Sequence, residues 1–398
     1  PSRLLNVARL MHNGRMRFIH LASLMWVLAA PVTAQLCPGD CDGDNAISAA
    51  EFAQVIGGVF DAAICPAADR DGDAAVDAAD VLAAHRALGE PPEGCQVDEA
   101  PASTWLPLPA LPGGARQEIG VAALGTQVYV IGGLTDTGQG VAAVEVFDTV
   151  GGTWTTTGGL PRPLHHIGTA ALDGQLYSVG GFIRQSFSPA TDVSRYDPTS
   201  GEWTAVAPLP APRGALAVAV RDGLLYASGG SGPGGSVAEH SVYDPQTDRW
   251  SPLAALPTPR NHLASVALGD YVYVIGGRSD GGGNANSAAL DRYDPATDTW
   301  DALAPMPTAR SGHAAAVLDG LIVVMGGEVN SANPPNFVFD QVERYDPALD
   351  EWTTLAPMAA PRHGIGAATV GGLIYVPGGA TRAGFAATAH HDALRIVR

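Results

Sequence analysis

The sequence predicts an all-β six-bladed propeller preceded by a small acidic module. Diglycines close short apolar runs at Gly132-Gly133, Gly180-Gly181, Gly229-Gly230, Gly276-Gly277, Gly326-Gly327 and Gly378-Gly379, at steps of 48, 49, 47, 50 and 52 residues. A tryptophan series, Trp105, Trp154, Trp203, Trp250, Trp300 and Trp352, keeps phase with them at steps of 49, 49, 47, 50 and 52. Two independent markers with one period signal repeated blades around a propeller. Between the markers lie short β-rich runs broken by Gly/Asp turns, with no helical span, which is the pattern of a four-stranded antiparallel meander.

The first 34 residues read as an export signal. Arg3, Arg9, Arg15 and Arg17 precede the apolar run 21–30, and Val32-Thr33-Ala34 offers small residues for cleavage before Gln35. The apolar run is too short to span a bilayer. A secreted or extracellular destination is expected, at the cell surface or in a periplasm, with no membrane span in the mature chain. The whole sequence has 22 basic and 40 acidic residues and a formal net charge of -18. Such a charge disfavours nucleic acid as a partner.

Residues 35–95 form the acidic module. It holds all four cysteines, Cys37, Cys41, Cys65 and Cys95, and an even cluster in an exported module argues for two disulfides, with three pairings open. Two twelve-residue patterns follow one rule. Asp40, Asp42, Asp44, Ser48 and Glu51 occupy positions 1, 3, 5, 9 and 12 of the first, and Asp69, Asp71, Asp73, Asp77 and Asp80 those of the second. Calcium needs six to eight hard oxygens, and this spacing turns carboxylates and one carbonyl inward. Ile47 and Val76 are expected to pair between the loops. Asn45 and Ala74 replace the preferred glycine, and Asp80 is shorter than glutamate, so the expected Ca2+ sites are modest. A solvated acidic surface without ordered metal is the alternative. Apolar residues at helical spacing follow each loop. The two loop-then-helix units resemble the dockerin module of secreted bacterial proteins, and that resemblance implies a cohesin-like domain as partner. An EF-hand pair acting as a spacer is the competing reading.

Residues 96–103 read as a linker, and 104–398 as the ring. The last diglycine is followed by no tryptophan, so the segment near Trp105 is expected to supply the missing fourth strand. The turns Asp197-Pro198, Asp244-Pro245, Asp294-Pro295 and Asp346-Pro347 are turn chemistry. Arg162, Arg213, Arg260, Arg310 and Arg362 recur too regularly to form one active site and are expected to brace adjacent blades. Strand parity puts the Pro-Arg segments and the variable loops on one face. With His262, His313 and His363 beside them, these arginines mark the candidate binding face. Glu328 and His391 lie in loops of the same face, and no residue is singled out as catalytic.

The six-fold Gly-Gly, Tyr-Asp-Pro and Trp register resembles the kelch family over residues 100–398. That family's common role implies a non-enzymatic monomer binding an extracellular protein or glycan through one face. Fungal galactose oxidase resembles the fold but needs a cysteine cross-linked to its copper-site tyrosine, and this ring has no cysteine. The bacterial sialic acid mutarotase, an exported six-bladed kelch protein, is the enzymatic alternative.

Overall fold

The computed structural model describes residues 11–12, 15–16, 46–47, 96–97, 103–183, 185–280, 285–329 and 337–396. The chain divides into two compact units, Pro1–Pro101 and Ala102–Arg398. In the first, Met11–His12 pairs antiparallel with Arg15–Met16, and Ala46–Ile47 pairs parallel with Gln96–Val97. The register sets Ile47 opposite Val97; Val76, the partner expected for Ile47, lies outside the described residues. Among the described residues there is no helix and no disulfide, so the expected disulfide-bonded helical EF-hand or dockerin-like module finds no support in them. The four cysteines and the ten proposed calcium ligands lie outside the described residues.

The second unit is a ring of six four-stranded antiparallel sheets. Blade 1 runs through Gly120–Leu124, Gln127–Ile131, Val144–Asp148 and Thr153–Thr157. Blades 2 to 5 repeat this meander from Gly168, Ala217, Ala264 and Ala314. Blade 6 takes Ala368–Val370, Leu373–Pro377 and His391–Ile396, and its fourth strand is Ser103–Pro107, paired with Ile396 back to Asp392. The first and last strands of the unit thus share one sheet.

Burial follows strand order. The second strand of every blade is buried along four consecutive residues, as in Val128–Ile131 and Ile322–Met325, because blades pack against both of its faces. In blades 2 to 4 the fourth strand is mostly exposed and keeps only its tryptophan half-buried. The six first strands line a central channel of about 280 Å3 with small residues such as Ala122, Ala170, Ala219 and Ala316. Bulkier side chains would fill that axis.

Three repeated contacts hold the ring. The second glycine of each pair donates its N–H to a carbonyl of the next blade: Gly133 to Leu164, Gly181 to Arg213, Gly230 to Arg260, Gly277 to Arg310, Gly327 to Arg362, and Gly379 back to Arg116. Both glycines adopt positive φ, and a Cβ on Gly276 would lie 2.8 Å from the Arg310 carbonyl oxygen, so only glycine fits. At the rim each indole N–H donates to the preceding blade, from Trp105 to Ala356, Trp154 to Pro109, and so on round to Trp352 and Ala304.

The third contact is the buried arginine. Arg116, Arg213, Arg260, Arg310 and Arg362 each donate to the carbonyl of the glycine sixteen residues ahead. Each also reaches a third-strand partner: Glu145, Ser241, Asp291, Glu343 and Asp392 respectively. The guanidinium braces its own blade, while its backbone carbonyl makes the bond between blades. Arg162 is out of this phase; it is exposed and pairs with Asp192. Leu164 fills the brace position in blade 2, and the facing third-strand residue there is Ser194. Both charges are replaced together, which avoids the roughly 3–5 kcal/mol cost of stranding one buried charge.

Two outcomes follow from this architecture. Deleting residues 103–107 opens blade 6, and thermal unfolding should shift down by at least 10 °C or lose cooperativity; an unchanged melt would show that the ring does not depend on this strand. The second concerns acid. Burial drives His240 and His313 to a pKa of about 3 and His391 to about 4. All lie below the ordinary 6.5, so the unfolded chain takes up protons first as pH falls. The contribution of these three histidines is full above pH 6.5 and declines below it, by up to ~1.4 kcal/mol per pH unit for each. Urea midpoints at pH 7 and 5 read this loss, and His391→Phe should make the decline shallower.

Candidate functional site

At the axis, one residue from each blade forms a closed backbone ring. Glu118 donates its N–H to Gly364, His166 to Glu118, Ala215 to His166, His262 to Ala215, Gly312 to His262, and Gly364 to Gly312, with distances of 2.7 to 2.9 Å. All six have φ between 52° and 63°. Holding a non-glycine residue there costs roughly 1–2 kcal/mol, and four of the six pay it. Such strain persists where surrounding structure over-determines it. Here the ring satisfies every donor at the mouth. Blades 3, 5 and 6 contribute Ala, Gly and Gly, and blades 1, 2 and 4 contribute Glu118, His166 and His262.

The residue before each of these pairs with the residue after a diglycine, as in Asn261 with Arg278, Ser311 with Glu328 and His363 with Ala380. A compact cluster results. His166 Nε2 is 3.2 Å from Glu118 Oε2, and His363 Nδ1 is 3.5 Å from Glu118 and 3.4 Å from Glu328. Arg278 lies 2.7 Å from Glu328 and 3.0 Å from His262 Nε2. The His166 and His262 rings meet edge to face at 4.9 Å. Glu118, His166, Glu328 and His363 are buried, while the Arg278 side chain keeps 14 % exposure.

These groups set one another's charge. Burial opposes ionisation of Glu118, but His166, His363 and Arg278 outweigh it and hold the carboxyl at about 2. Burial also disfavours the cation at His363, yet the hydrogen bond it donates to the Glu118 carboxylate and the charges of Glu328 and Glu118 raise it above the ordinary range. His166 and His262 go the other way, first through burial; Glu118 only partly offsets this at His166, and Arg278 adds to it at His262. The site therefore holds an ionised carboxylate beside a protonating histidine, with two neutral imidazoles at its edge. That is an arrangement for general acid–base chemistry.

Glu118, His166 and His262 also bring ligand atoms within 4.8 Å of one another and could hold a divalent ion. A two-imidazole, one-carboxylate set is nitrogen-rich, whereas calcium prefers oxygens, so nothing selects Ca2+ here.

Of the residues expected on the binding face, His262 and His363 enter this cluster, and Glu328 joins them. Arg213, Arg260, Arg310 and Arg362 are buried braces, and Arg162 stands apart on the surface. His313 is corrected too: it lies beneath Gly276 in the column occupied elsewhere by Ile119, Ile167, Leu216, Leu263 and Ile365. His391 packs among Phe147, Trp154 and Tyr375. Glu118 and Arg278 were missed. The signal existed, since Arg116 precedes Gly132 by the same sixteen residues as the other braces, and this phase aligns Glu118 with His166 and His262.

The family of Attractin/LZTR1 β-propellers matches residues 128–392. The chain belongs to that family. This Attractin/LZTR1 propeller is also related to kelch proteins. Human Kelch repeat and BTB domain-containing protein 13 is 33 % identical over 103 residues, covering 25 % of this chain and 22 % of that protein. Kelch-like protein terF of Aspergillus terreus is 36 % identical over 70 residues, covering 17 % and 15 %. The chain thus spans less than a quarter of the length of these relatives. The solved structure of YjhT superposes with a TM-score of 0.62 at 19 % identity, covering 71 % of this chain and 95 % of YjhT.

At that identity the likeness speaks for the fold, and it takes in a whole ring where the kelch relatives share pieces. The buried acid–base cluster corrects the expectation of a non-enzymatic protein- or glycan-binding propeller. Among the described residues no helix is long and apolar enough to cross a membrane.

The charge assignment has a direct readout. In an NMR titration the His363 midpoint should lie above 6.5, and Glu118→Gln should lower it by removing the hydrogen bond and charge that favour the cation. A His363 midpoint below 6.5 in the unaltered protein would overturn the assignment.

Proposed function

We propose that the axial mouth is an acid–base active site that opens and recloses the ring of an acidic sugar, a sialic acid mutarotase-like activity. The observation that carries this reading is the buried pairing of the Glu118 carboxylate with a His363 held above its ordinary pKa. Interconversion of anomers needs no redox step. One group takes the proton of the anomeric hydroxyl, another protonates the ring oxygen as the ring C–O bond breaks, and reclosure on the other face returns both protons.

In this reading Glu118 accepts the hydroxyl proton and His363 donates to the ring oxygen. The low pKa of Glu118 makes it a weak base in the resting site; a ligand that parts it from one cationic neighbour brings it toward its ordinary value. Arg278, the partly exposed cation of the cluster, meets the sugar carboxylate. Positioned acid–base groups of this kind contribute roughly 10²–10⁴-fold. The segment 1–34, read as an export signal, further supports an activity outside the cytoplasm.

Exchange NMR on free sialic acid tests the activity. The protein at micromolar concentration should accelerate anomer exchange well above the uncatalysed rate. Glu118→Gln should lower kcat by about 10²-fold or more, with the melt near that of the unaltered protein. No acceleration by the unaltered protein would refute the proposal.

A further inference from the structure

The two imidazoles at the edge of the cluster occupy equivalent places in the axial ring, yet their neighbours impose opposite proton positions. In a neutral imidazole one ring nitrogen donates and the other accepts, and the partner of each decides which. Around His262 both partners are unambiguous. A guanidinium has donors and no acceptor, so Arg278, 3.0 Å from Nε2, requires a lone pair there. On the other side, Nδ1 meets Asn261 Oδ1, an acceptor, which requires Nδ1–H.

The orientation of the Asn261 amide is itself fixed. Its Nδ2 donates to Ser236 Oγ at 2.7 Å and to Asp280 Oδ1 at 3.3 Å. The Asp280 carboxylate can only accept, and it takes the backbone N–H and the hydroxyl of Ser236 as well. Turning the amide over would set its oxygen against a carboxylate oxygen. The chain of constraint therefore runs from Asp280 through Asn261 to His262 and ends at Arg278.

At His166 the partners reverse the outcome. Nε2 faces the Glu118 carboxylate at 3.2 Å, so it carries the proton. Its Nδ1 lies 2.6 Å from Nδ1 of His165, and one proton must lie between these two nitrogens. With His166 neutral, that proton belongs to His165, which donates. His165 is fully buried, with the Phe182 and Phe187 rings edge-on or tilted against it at 5.7 and 5.0 Å, so its ring has little room to turn.

We propose that His165 and Asn261 are positioning residues that lock His166 as the Nε2–H tautomer and His262 as the Nδ1–H tautomer. His166 is thereby a fixed donor to Glu118, and His262 a fixed acceptor for Arg278. Proton positions are assigned here from heavy-atom partners, and both ends of the His262 chain give the same answer independently. A consequence concerns metal. In this state one Nε2 carries hydrogen and the other accepts from Arg278, so a divalent ion would have to displace a proton or the Arg278 bond to use these atoms. The tautomers stand apart from the mutarotase reading; only the effect on rate rests on it.

Side-chain 15N NMR of the full chain reads the tautomers directly, because protonated and unprotonated ring nitrogens resonate far apart. Expected in the unaltered protein are a protonated Nε2 at His166 and a protonated Nδ1 at His262. Asn261→Leu should reduce the Nδ1–H preference of His262 to what Arg278 alone imposes, with His166 unchanged, and Asn261→Gln should restore part of the difference. His165→Phe should do the converse at His166. If the anomer-exchange activity is present, both leucine and phenylalanine variants should lower kcat several-fold with little change in KM. Like tautomers at the two histidines would overturn the proposal. A locked pair in a protein without exchange activity would uphold the tautomer inference and sink the mutarotase reading.

Discussion

The bond on which the rest depends runs from the second glycine of each pair to the backbone carbonyl of the next blade. It occurs six times, and the sixth, Gly379 to Arg116, joins the end of the ring to its beginning. Only glycine permits it, because the donor must turn into positive φ while the chain passes within contact of a neighbouring carbonyl. The buried arginines serve the same bond. By gripping the diglycine and the third strand, each guanidinium keeps its own backbone carbonyl presented to the preceding blade.

Once those six bonds set the distance between blades, the chain just beyond each arginine is drawn to the axis. There the six left-handed residues close a second, smaller ring. Its geometry turns what would be six separate loop residues into one site. Glu118, His166 and His262 are neighbours because their backbones are hydrogen-bonded in a circle, with small residues at the other three places leaving room. The same crowding excludes water, and within it the neighbouring charges hold Glu118 at about 2 and His363 above its ordinary value against the pull of burial.

Much of the fold was legible in the sequence, because a repeat writes its period six times over. The diglycines and tryptophans announce six blades through backbone freedom and rim packing, both local properties. The site was legible only in part. His262, His363 and Glu328 stood out by residue type, whereas Glu118 lay in the one brace segment whose arginine, Arg116, had been passed over in favour of Arg162. His313 looked like its relatives His262 and His363 but comes just after the axial-ring residue of its blade, Gly312, where its side chain lies under Gly276. The amino-terminal module read as calcium loops with helices and disulfides; the described residues there show a parallel pairing of Ala46–Ile47 with Gln96–Val97.

By itself the sequence determined the class of structure: its period, its blade count and the glycines without which the blades cannot meet. The tertiary structure alone decided which residues share the axis and what charge each carries. The reason is physical. Blade geometry repeats with local sequence, but a charge depends on what lies within a few ångströms from other blades, and Glu118, His363 and Arg278 come from segments up to 245 residues apart.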